Sequence, residues 1–300
     1  MPRALIIANP AAARTTPDIV SQILDTLRAG GWTSELAATS GPGDARRLAE
    51  QGVRDGVDSV VVFGGDGTTM QAAAALVGTD VRLGLIPGGT GNLLAGNLRI
   101  PTSPVRAAAA LLKARPRRLD LGRIERPDGA HYFAVACGAG YDARVMIGTR
   151  SEHKRKWGIG AYIATTLKLI HEIRSVDFLL TVDGREYDAH AATVIIANCG
   201  EVIPPYLRLS PDIVPDDGLL DVVVMRANSF GESVRAVWEL LRVPGPGEVS
   251  GSLVGFVRGK EIRVESHPAL PAQLDGEPGG VTPFTATVVP GALEILAPRT

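Results

Sequence analysis

Two glycine-rich turns follow one another closely in this chain, Val60-Val61-Val62-Phe63-Gly64-Gly65-Asp66-Gly67-Thr68 and Leu83-Gly84-Leu85-Ile86-Pro87-Gly88-Gly89-Thr90-Gly91-Asn92. Each turn starts with a short apolar run, breaks at glycines and continues into residues with helical character, 69–76 and 93–98. The order strand, turn, start of a helix is therefore predicted twice in succession. Glycines let the backbone approach an anion closely, and a helix N-terminus directs free N–H groups at it. The pair of turns predicts a binding site for the phosphates of a nucleotide.

Asp66 lies inside the first turn, where its carboxylate would repel bare phosphate. A magnesium ion between the two groups removes this conflict, so we predict that Asp66 faces the metal. The alternative is an ordinary βα turn in which Asp66 or Thr68 caps the helix. Two such turns in tandem favour the phosphate site. Neither is a Walker A loop, and neither has the G-x-G-x-x-G spacing of a dinucleotide fold.

The composition fits a two-domain globular protein. The chain has 300 residues, of which 45% are hydrophobic, enough for two buried cores. A formal net charge of −1 argues against an extended nucleic-acid surface, which would be strongly basic. Cys137 and Cys199 both lie within apolar runs, so we expect buried thiols rather than a disulfide framework.

The pattern of apolar residues changes near residue 120. Before this point strands and helices alternate, which predicts a parallel sheet covered by helices, with ligands at the carboxyl ends of its strands. Strands are predicted at 4–8, 32–38, 59–63 and 82–86, and helices at 17–30, 44–54, 68–77 and 103–114. After it the runs typical of antiparallel sheet are 119–126, 132–137, 176–182, 192–197, 219–225, 261–264 and 293–296. Helices are expected to interrupt this sheet at about 157–173 and 229–241.

The order of these motifs resembles that of the soluble diacylglycerol kinase family, which includes bacterial lipid kinases and the sphingosine and ceramide kinases. Gly64–Thr68 is similar to the family signature, and Pro87–Asn92 to its second loop. The other similar segments are Ala8-Asn9-Pro10, Thr39 to Ala45, the spaced residues Lys156, Gly158 and Tyr162, Asp217 to Asp221, and Asp275-Gly276-Glu277. The resemblance therefore extends over essentially the whole chain.

The resemblance implies an ATP- and Mg²⁺-dependent kinase that phosphorylates a hydroxyl of diacylglycerol or a related lipid. It implies an N-terminal three-layer α/β nucleotide-binding domain with a parallel sheet at 1–120, completed by about 288–300. Residues 121–287 would form an antiparallel β-sandwich with inserted helices, which binds the lipid. The implied nucleotide-binding residues are Asn9, Thr39, Gly64, Gly65, Asp66, Gly67, Thr68, Thr69, Met70, Thr90 and Asn92.

The resemblance also assigns the phosphotransfer residues. It implies that Glu277 accepts the proton of the lipid hydroxyl, while Asp275 belongs with Asp66 to the metal and phosphate network. By turn statistics alone, Asp275-Gly276-Glu277 would be an exposed hairpin turn. Only the family context favours a catalytic role.

A second magnesium ion, away from the chemistry, is implied at the Asp-Gly-Leu-Leu-Asp segment. Its ligands would be the Asp217 side chain and backbone carbonyls at Val214 and Leu219. One carboxylate makes a poor magnesium site unless water completes the octahedron, so we interpret this ion as structural. Asp216 is expected to cap the turn.

Some residues depart from the family pattern. Gln71 stands where an acidic residue is common, Leu93 stands where an Asp often follows Asn92, and the opening turn continues as Ala11-Ala12-Ala13-Arg14. Each change removes a polar group near the expected phosphates. Gln71 can still form hydrogen bonds, and Arg14 can supply a positive charge.

Two other functions remain open. NAD kinases share the Gly-Gly-Asp-Gly-Thr turn, but this sequence contains no Asn-Glu dipeptide of the kind that family uses. A non-catalytic lipid or nucleotide sensor would keep the fold and lose turnover.

We expect a cytoplasmic location, because no apolar run approaches the roughly 18 residues that a membrane helix needs and the N-terminal apolar run is too short for a secretory signal. The lipid would then be met at the inner membrane face by peripheral contact. The basic stretch 150–157 could take part in that contact or be a solvated loop. The oligomeric state is left open, a homodimer included.

Overall fold

The computed structural model describes residues 1–140, 175–204, 207–229, 231–232, 235–236 and 253–298. The chain divides into two compact units. The first unit comprises Met1–Leu119 and Gly291–Thr300, and the second comprises Asp120–Pro290. No helix in the described ranges is long and apolar enough to cross a membrane.

The first unit is a parallel sheet with helices between its strands. The sheet order is β2-β1-β3-β4, and the end of the last strand pairs in parallel with β4 through Ile295 and Leu83. Helices α1 and α5 pack together, as do α2 and α3. The elements are β1 (Arg3–Ala8), α1 (Pro17–Ala29), β2 (Thr33–Ala38), α2 (Asp44–Arg54), β3 (Ser59–Gly64), α3 (Asp66–Leu76), β4 (Arg82–Pro87), α4 (Leu93–Asn97) and α5 (Pro104–Leu111).

Local sequence explains these elements. Every residue of β3 is buried, as expected for a central parallel strand covered on both faces, and this is why its sequence is a continuous apolar run. Helix α1 begins after Thr16, whose hydroxyl oxygen accepts the Ile19 N–H at 3.4 Å, and Pro17 occupies the first helical position. Ile23 and Leu27 form the buried face of this helix.

The second unit is an antiparallel β-sandwich. One sheet has the order β14-β13-β10-β7-β16-β17, and the other is formed by the antiparallel pairs β18–β15, β15–β8 and β8–β9. Side chains from both sheets meet in one apolar core, including Cys137, Val194 and Val222 from one and Phe178 and Val264 from the other. The strands are β5 (Arg115–Arg126), β6 (Gly129–Phe133), β7 (Ala136–Gly140), β8 (Val176–Val182), β9 (Arg185–Ala191), β10 (Thr193–Ala197), β11 (Glu201–Ile203), β12 (Leu207–Arg208), β13 (Leu220–Met225), β14 (Val254–Gly259), β15 (Glu261–His267), β16 (Pro271–Leu274), β17 (Glu277–Val281) and β18 (Phe284–Ala297).

The predicted fold class is confirmed, but several elements differ from prediction; for example, β18 is Phe284–Ala297 where only 293–296 was predicted. The single strand predicted at 132–137 is two strands, β6 and β7, separated at Ala134-Val135 because the N–H groups there bind a side chain instead of a neighbouring strand. Helix α3 begins at Asp66, two residues before its predicted start. Cys137 and Cys199 are buried thiols that form no disulfide, as predicted.

Some predictions lie outside the described residues. These are the helix at 157–173, most of the helix at 229–241, the basic stretch 150–157, and the spaced residues Lys156, Gly158 and Tyr162.

Candidate functional site

The two glycine turns contact each other at the carboxyl ends of β3 and β4. Gly88 and Gly89 donate their N–H groups to the Gly64 carbonyl at 2.8 and 3.2 Å. A Cβ placed on Gly89 would lie 2.7 Å from the Gly65 Cα, a distance that real side chains do not adopt. Glycine is therefore required here because two backbones approach closely, which leaves an edge lined by main chain rather than by side chains.

Asp66 joins the two turns. It is the first residue of α3, and its Oδ1 accepts the Leu93 N–H, at the start of α4, at 2.6 Å. A Cβ on Gly91 would lie 2.7 Å from Asp66 Oδ2, so the glycine keeps space beside this oxygen. A cavity of about 10 Å³, room for roughly one water molecule, lies here and is lined by Gly64, Asp66, Thr69, Leu85, Ile86, Pro87, Asn92, Leu94 and Ala95.

Asn9 fastens the turn after β1 to helix α3. Its N–H binds the Phe63 carbonyl at 2.9 Å, and its Nδ2 donates to Thr68 Oγ1 at 2.9 Å. Its Oδ1 accepts the Ala11 N–H at 2.9 Å. Because Thr68 Oγ1 is the acceptor in the bond from Asn9, this bond does not use the Thr68 hydroxyl proton, which can be donated to a ligand.

The Asn92 side chain stabilises the second turn through hydrogen bonds to the main chain of the same turn. Its φ is 52°, in the left-handed region that Asn tolerates better than most residues. Its Oδ1 accepts the Gly89 N–H at 3.0 Å, and its Nδ2 donates to the Gly89 carbonyl at 2.7 Å. Asn92 thus holds the loop in shape, while the neighbouring Thr90 is exposed at its tip.

The remaining predicted nucleotide residues lie along the same edge of the first unit. Thr39 follows β2, and its N–H binds the Ala8 carbonyl at 2.9 Å. Gly67, Thr69 and Met70 are in the first turns of α3, with Thr69 buried. Arg14 Nη1 donates to the Thr102 carbonyl at 2.7 Å, and the Arg14 N–H donates to the Gly88 carbonyl at 3.0 Å. Its supply of positive charge to the phosphates stays a prediction.

A two-residue turn, Asp275-Gly276, joins β16 to β17 in the second unit, and Glu277 follows it directly. Asp275 and Gly276 have φ values of 46° and 84°, and positive φ at both central residues is the requirement of a type I′ turn. The Asp-Gly sequence is the usual solution for this geometry. Glu277, the first residue of β17, is exposed, and its carboxylate has no hydrogen-bond or ion-pair partner among the described residues.

The Asp275 carboxylate is buried and binds main chain. Asp275 is only 8% exposed. Its Oδ2 accepts the Ala134 N–H at 2.7 Å, and its Oδ1 accepts the Val135 and Ala136 N–H groups at 2.9 Å each. These bonds tie the Asp275-Gly276 turn, and with it the start of β17 at Glu277, to residues 134–136. The place of Asp275 in the metal and phosphate network stays a prediction.

Two residues whose contacts sequence reasoning missed, Asn198 and Cys199, bind the carbonyl of Ala134 in the same segment. Asn198, which is 1% exposed, donates from Nδ2 to the Ala134 and Asp120 carbonyls at 2.9 Å each. Cys199 Sγ lies 3.2 Å from the Ala134 carbonyl oxygen. The available signal was an Asn directly after the wholly apolar end of β10, since a buried polar side chain needs partners.

Asp275 predicts a pH dependence of stability. Burial raises its pKa from 3.8 to about 6, against the opposite effect of the three N–H donors. The folded chain therefore binds the proton more tightly than the unfolded chain, and the free energy of unfolding falls as the pH rises from about 4 to above 6. We expect Asp275 to contribute up to about 3 kcal/mol to this fall, at roughly 1.4 kcal/mol per pKa unit. The fall is measured by urea unfolding of the wild type and of Asp275→Asn at pH values from about 4 to above 6. A constant difference between the two proteins would contradict the prediction.

The Asp217 turn lies elsewhere in the second unit. Asp217 Oδ1 accepts the Leu219 N–H at 3.0 Å, and its Oδ2 lies 4.0 Å from Arg258 Nη1. Arg258 also binds the buried Asp221 through Nε at 2.9 Å, and burial raises the pKa of Asp221 despite this partner. Among the described residues no group of three or more acidic, His or Cys side chains is arranged to hold a metal. The magnesium site at Asp217, Val214 and Leu219 stays a prediction.

Comparison with known proteins agrees with this architecture. Residues 3–124 match the diacylglycerol kinase catalytic domain, and residues 135–297 match the YegS C-terminal NAD kinase β-sandwich-like domain. A diacylglycerol kinase of Mycobacterium tuberculosis is 31% identical over 262 residues, covering 85% of this chain and 82% of that protein. A YegS-like lipid kinase of Pseudomonas putida is 31% identical over 285 residues, covering 94% and 90%.

The fold has solved counterparts. A crystal structure of a diacylglycerol kinase from Bacillus anthracis has a TM-score of 0.76 at 22% identity and covers 98% of this chain and 96% of that chain. The two domain matches and these relatives, rather than the fold alone, place the chain in the lipid kinase class. The chain belongs to the family of diacylglycerol kinases and YegS-like lipid kinases.

Proposed function

We propose that this chain is an ATP- and Mg²⁺-dependent lipid kinase that phosphorylates a hydroxyl of diacylglycerol or a related lipid. The observation that carries the proposal is the contact between the two glycine turns. Gly64, Gly88 and Gly89 form a main-chain edge at the strand ends, beside the start of α3. Phosphate binding favours this combination of close backbone and helix N-terminus.

The donor set of this edge fits a divalent cation. Asp66 supplies a carboxylate, the oxygen ligand that magnesium prefers, and Gly91 keeps space beside Oδ2. When bound, magnesium would neutralise charge on the phosphoryl group that is transferred. Asp66 would hold the ion, while the Thr68 hydroxyl and the main chain of the two turns would hold the phosphates.

Glu277 is the group proposed to accept the proton of the lipid hydroxyl. Phosphoryl transfer needs the acceptor oriented and its proton removed. An exposed carboxylate that has no partner in the part of the chain that the structure describes suits both tasks. Asp275 ties the turn before Glu277 to residues 134–136 through three N–H bonds. The lipid would be met by peripheral contact at the cytoplasmic face of a membrane.

The test is transfer of labelled phosphate from MgATP to micellar diacylglycerols, monoacylglycerols, sphingoid bases and ceramides, with NAD as a further acceptor. We expect label in at least one lipid and none in NAD. Label in NAD alone would overturn the proposal in favour of the NAD kinase alternative. ATP binding without transfer to any acceptor would overturn it in favour of a sensor, which the departures at Gln71 and Leu93 motivate.

A further inference from the structure

Gln71 links helix α3 to the loop after β2, residues 39–43, which we name the β2–α2 loop. Its Oε1 accepts the Gly43 N–H at 3.1 Å. Because a backbone N–H can only donate, the atom that it meets is the carbonyl oxygen of the Gln71 amide. Gln71 thus retains an acceptor at a position where the family often carries a carboxylate, without the negative charge.

The rest of the β2–α2 loop is closed on itself. Asp44 Oδ2 accepts the Ser40 N–H at 2.8 Å and the Gly41 N–H at 3.1 Å, and it also binds the Ser40 hydroxyl. The Ser40 donors hold the pKa of Asp44 well below its usual range, so this closure persists at neutral pH. The loop is therefore one rigid turn, and the Gln71 contact joins that turn to the helix that begins the phosphate site.

The sheet order places this loop at one end of the site. The glycine turns follow β3 and β4, whereas the loop follows β2, which lies two strands away in the order β2-β1-β3-β4. Neighbouring strands are about 4.8 Å apart, so roughly 10 Å separate the loop from the β3 turn along the edge. Thr39, a predicted nucleotide-binding residue, lies in this loop, so a ligand with its phosphates on the glycine turns would reach Thr39 with its nucleoside.

We propose that Gln71 is a positioning residue that holds the β2–α2 loop, and with it Thr39, against the nucleoside end of the bound nucleotide. The inference rests on the proposed nucleotide-dependent function and deepens it. It assigns the glycine turns to phosphate and the loop to nucleoside. A carboxylate at residue 71 would accept the same Gly43 N–H, whereas a methyl group would release the loop.

Calorimetric titration with MgADP and with magnesium tripolyphosphate separates these two ends. We expect Gln71→Ala to raise the Kd for MgADP about 5- to 10-fold, the effect of losing one hydrogen bond, and to leave the Kd for tripolyphosphate unchanged. In turnover assays the KM for MgATP should rise by a similar factor at constant kcat. Gln71→Glu should restore both values to within about twofold. Gln51→Ala is the matched control, because Gln51 also forms hydrogen bonds but lies on the exposed face of α2.

Hydrogen exchange without nucleotide tests the contact itself. Exchange in the peptide containing Gly43 should quicken in Gln71→Ala and stay at the wild-type rate in Gln71→Glu. Three results for Gln71→Ala would each overturn the inference. They are an unchanged exchange rate in the Gly43 peptide, an unchanged Kd for MgADP, and an equal rise in the Kd values for MgADP and tripolyphosphate. A wild-type protein that binds neither ligand would instead overturn the proposed function, so the two failures are distinct.

Discussion

Asp66→Asn is expected to reduce phosphoryl transfer about a thousandfold while the fold is kept. The asparagine oxygen can still accept the Leu93 N–H that Asp66 Oδ1 accepts at 2.6 Å, so the two glycine turns stay joined. The change removes the negative charge and replaces the second carboxylate oxygen by an amide NH2, and with these the magnesium-holding role proposed for this side chain. Loss of several kcal/mol of charge stabilisation corresponds to a rate change of this size.

Labelled-phosphate transfer at saturating MgATP measures the effect, and thermal unfolding checks the fold. Asp80→Asn serves as the matched control, since Asp80 is an exposed acid in the same unit. Asp66→Ala should lose transfer equally and also lower the Tm, because the Leu93 N–H then lacks its acceptor. Turnover near the wild-type level in Asp66→Asn, with the preferred lipid, would mean that the metal is held elsewhere.

Glu277→Gln is expected to lower kcat by about 10²- to 10⁴-fold, the usual contribution of a general base. The amide has the same shape, and the carboxylate that it replaces is exposed and unpartnered among the described residues, so the hairpin should not move. Binding of MgADP should be unchanged, because the predicted nucleotide residues all lie in the first unit.

The comparison variant is Glu186→Gln, which removes another exposed carboxylate from the second unit, on β9. It should keep wild-type kcat. Single-turnover transfer and MgADP titration on the same preparations separate chemistry from binding. A kcat for Glu277→Gln within threefold of the wild-type value would contradict the proposal that Glu277 is the proton acceptor.

The role of Asp275 shows the limit of prediction from sequence. Its place in an Asp-Gly turn followed from residue types, because positive φ at two successive positions has few solutions. Its partners did not, since the three N–H groups that it accepts lie 139 to 141 positions earlier in the chain. The same pairing explains why the strand predicted at 132–137 is interrupted.

Strand prediction in the second unit failed where the sequence carried little local pattern. The first four residues of β9 are all exposed, and β17 contains Pro278, Gly279 and Gly280, none of which favours a strand. These segments become strands because β8 and β16 supply ladder partners. Strands β8, β10 and β13, which have strong apolar patterns, were predicted to within one residue.

The sequence by itself determined the parallel sheet, its two glycine turns and the position of Asp66 between them. These features are local, because strand, turn and helix start each depend on neighbouring residues and on the backbone freedom of glycine. Only the tertiary structure decided which turns touch, that Asp275 binds main chain, and that Gln71 holds Gly43. Hydrogen bonds between distant segments form only once folding brings their donors and acceptors together, so no local pattern in the chain records them.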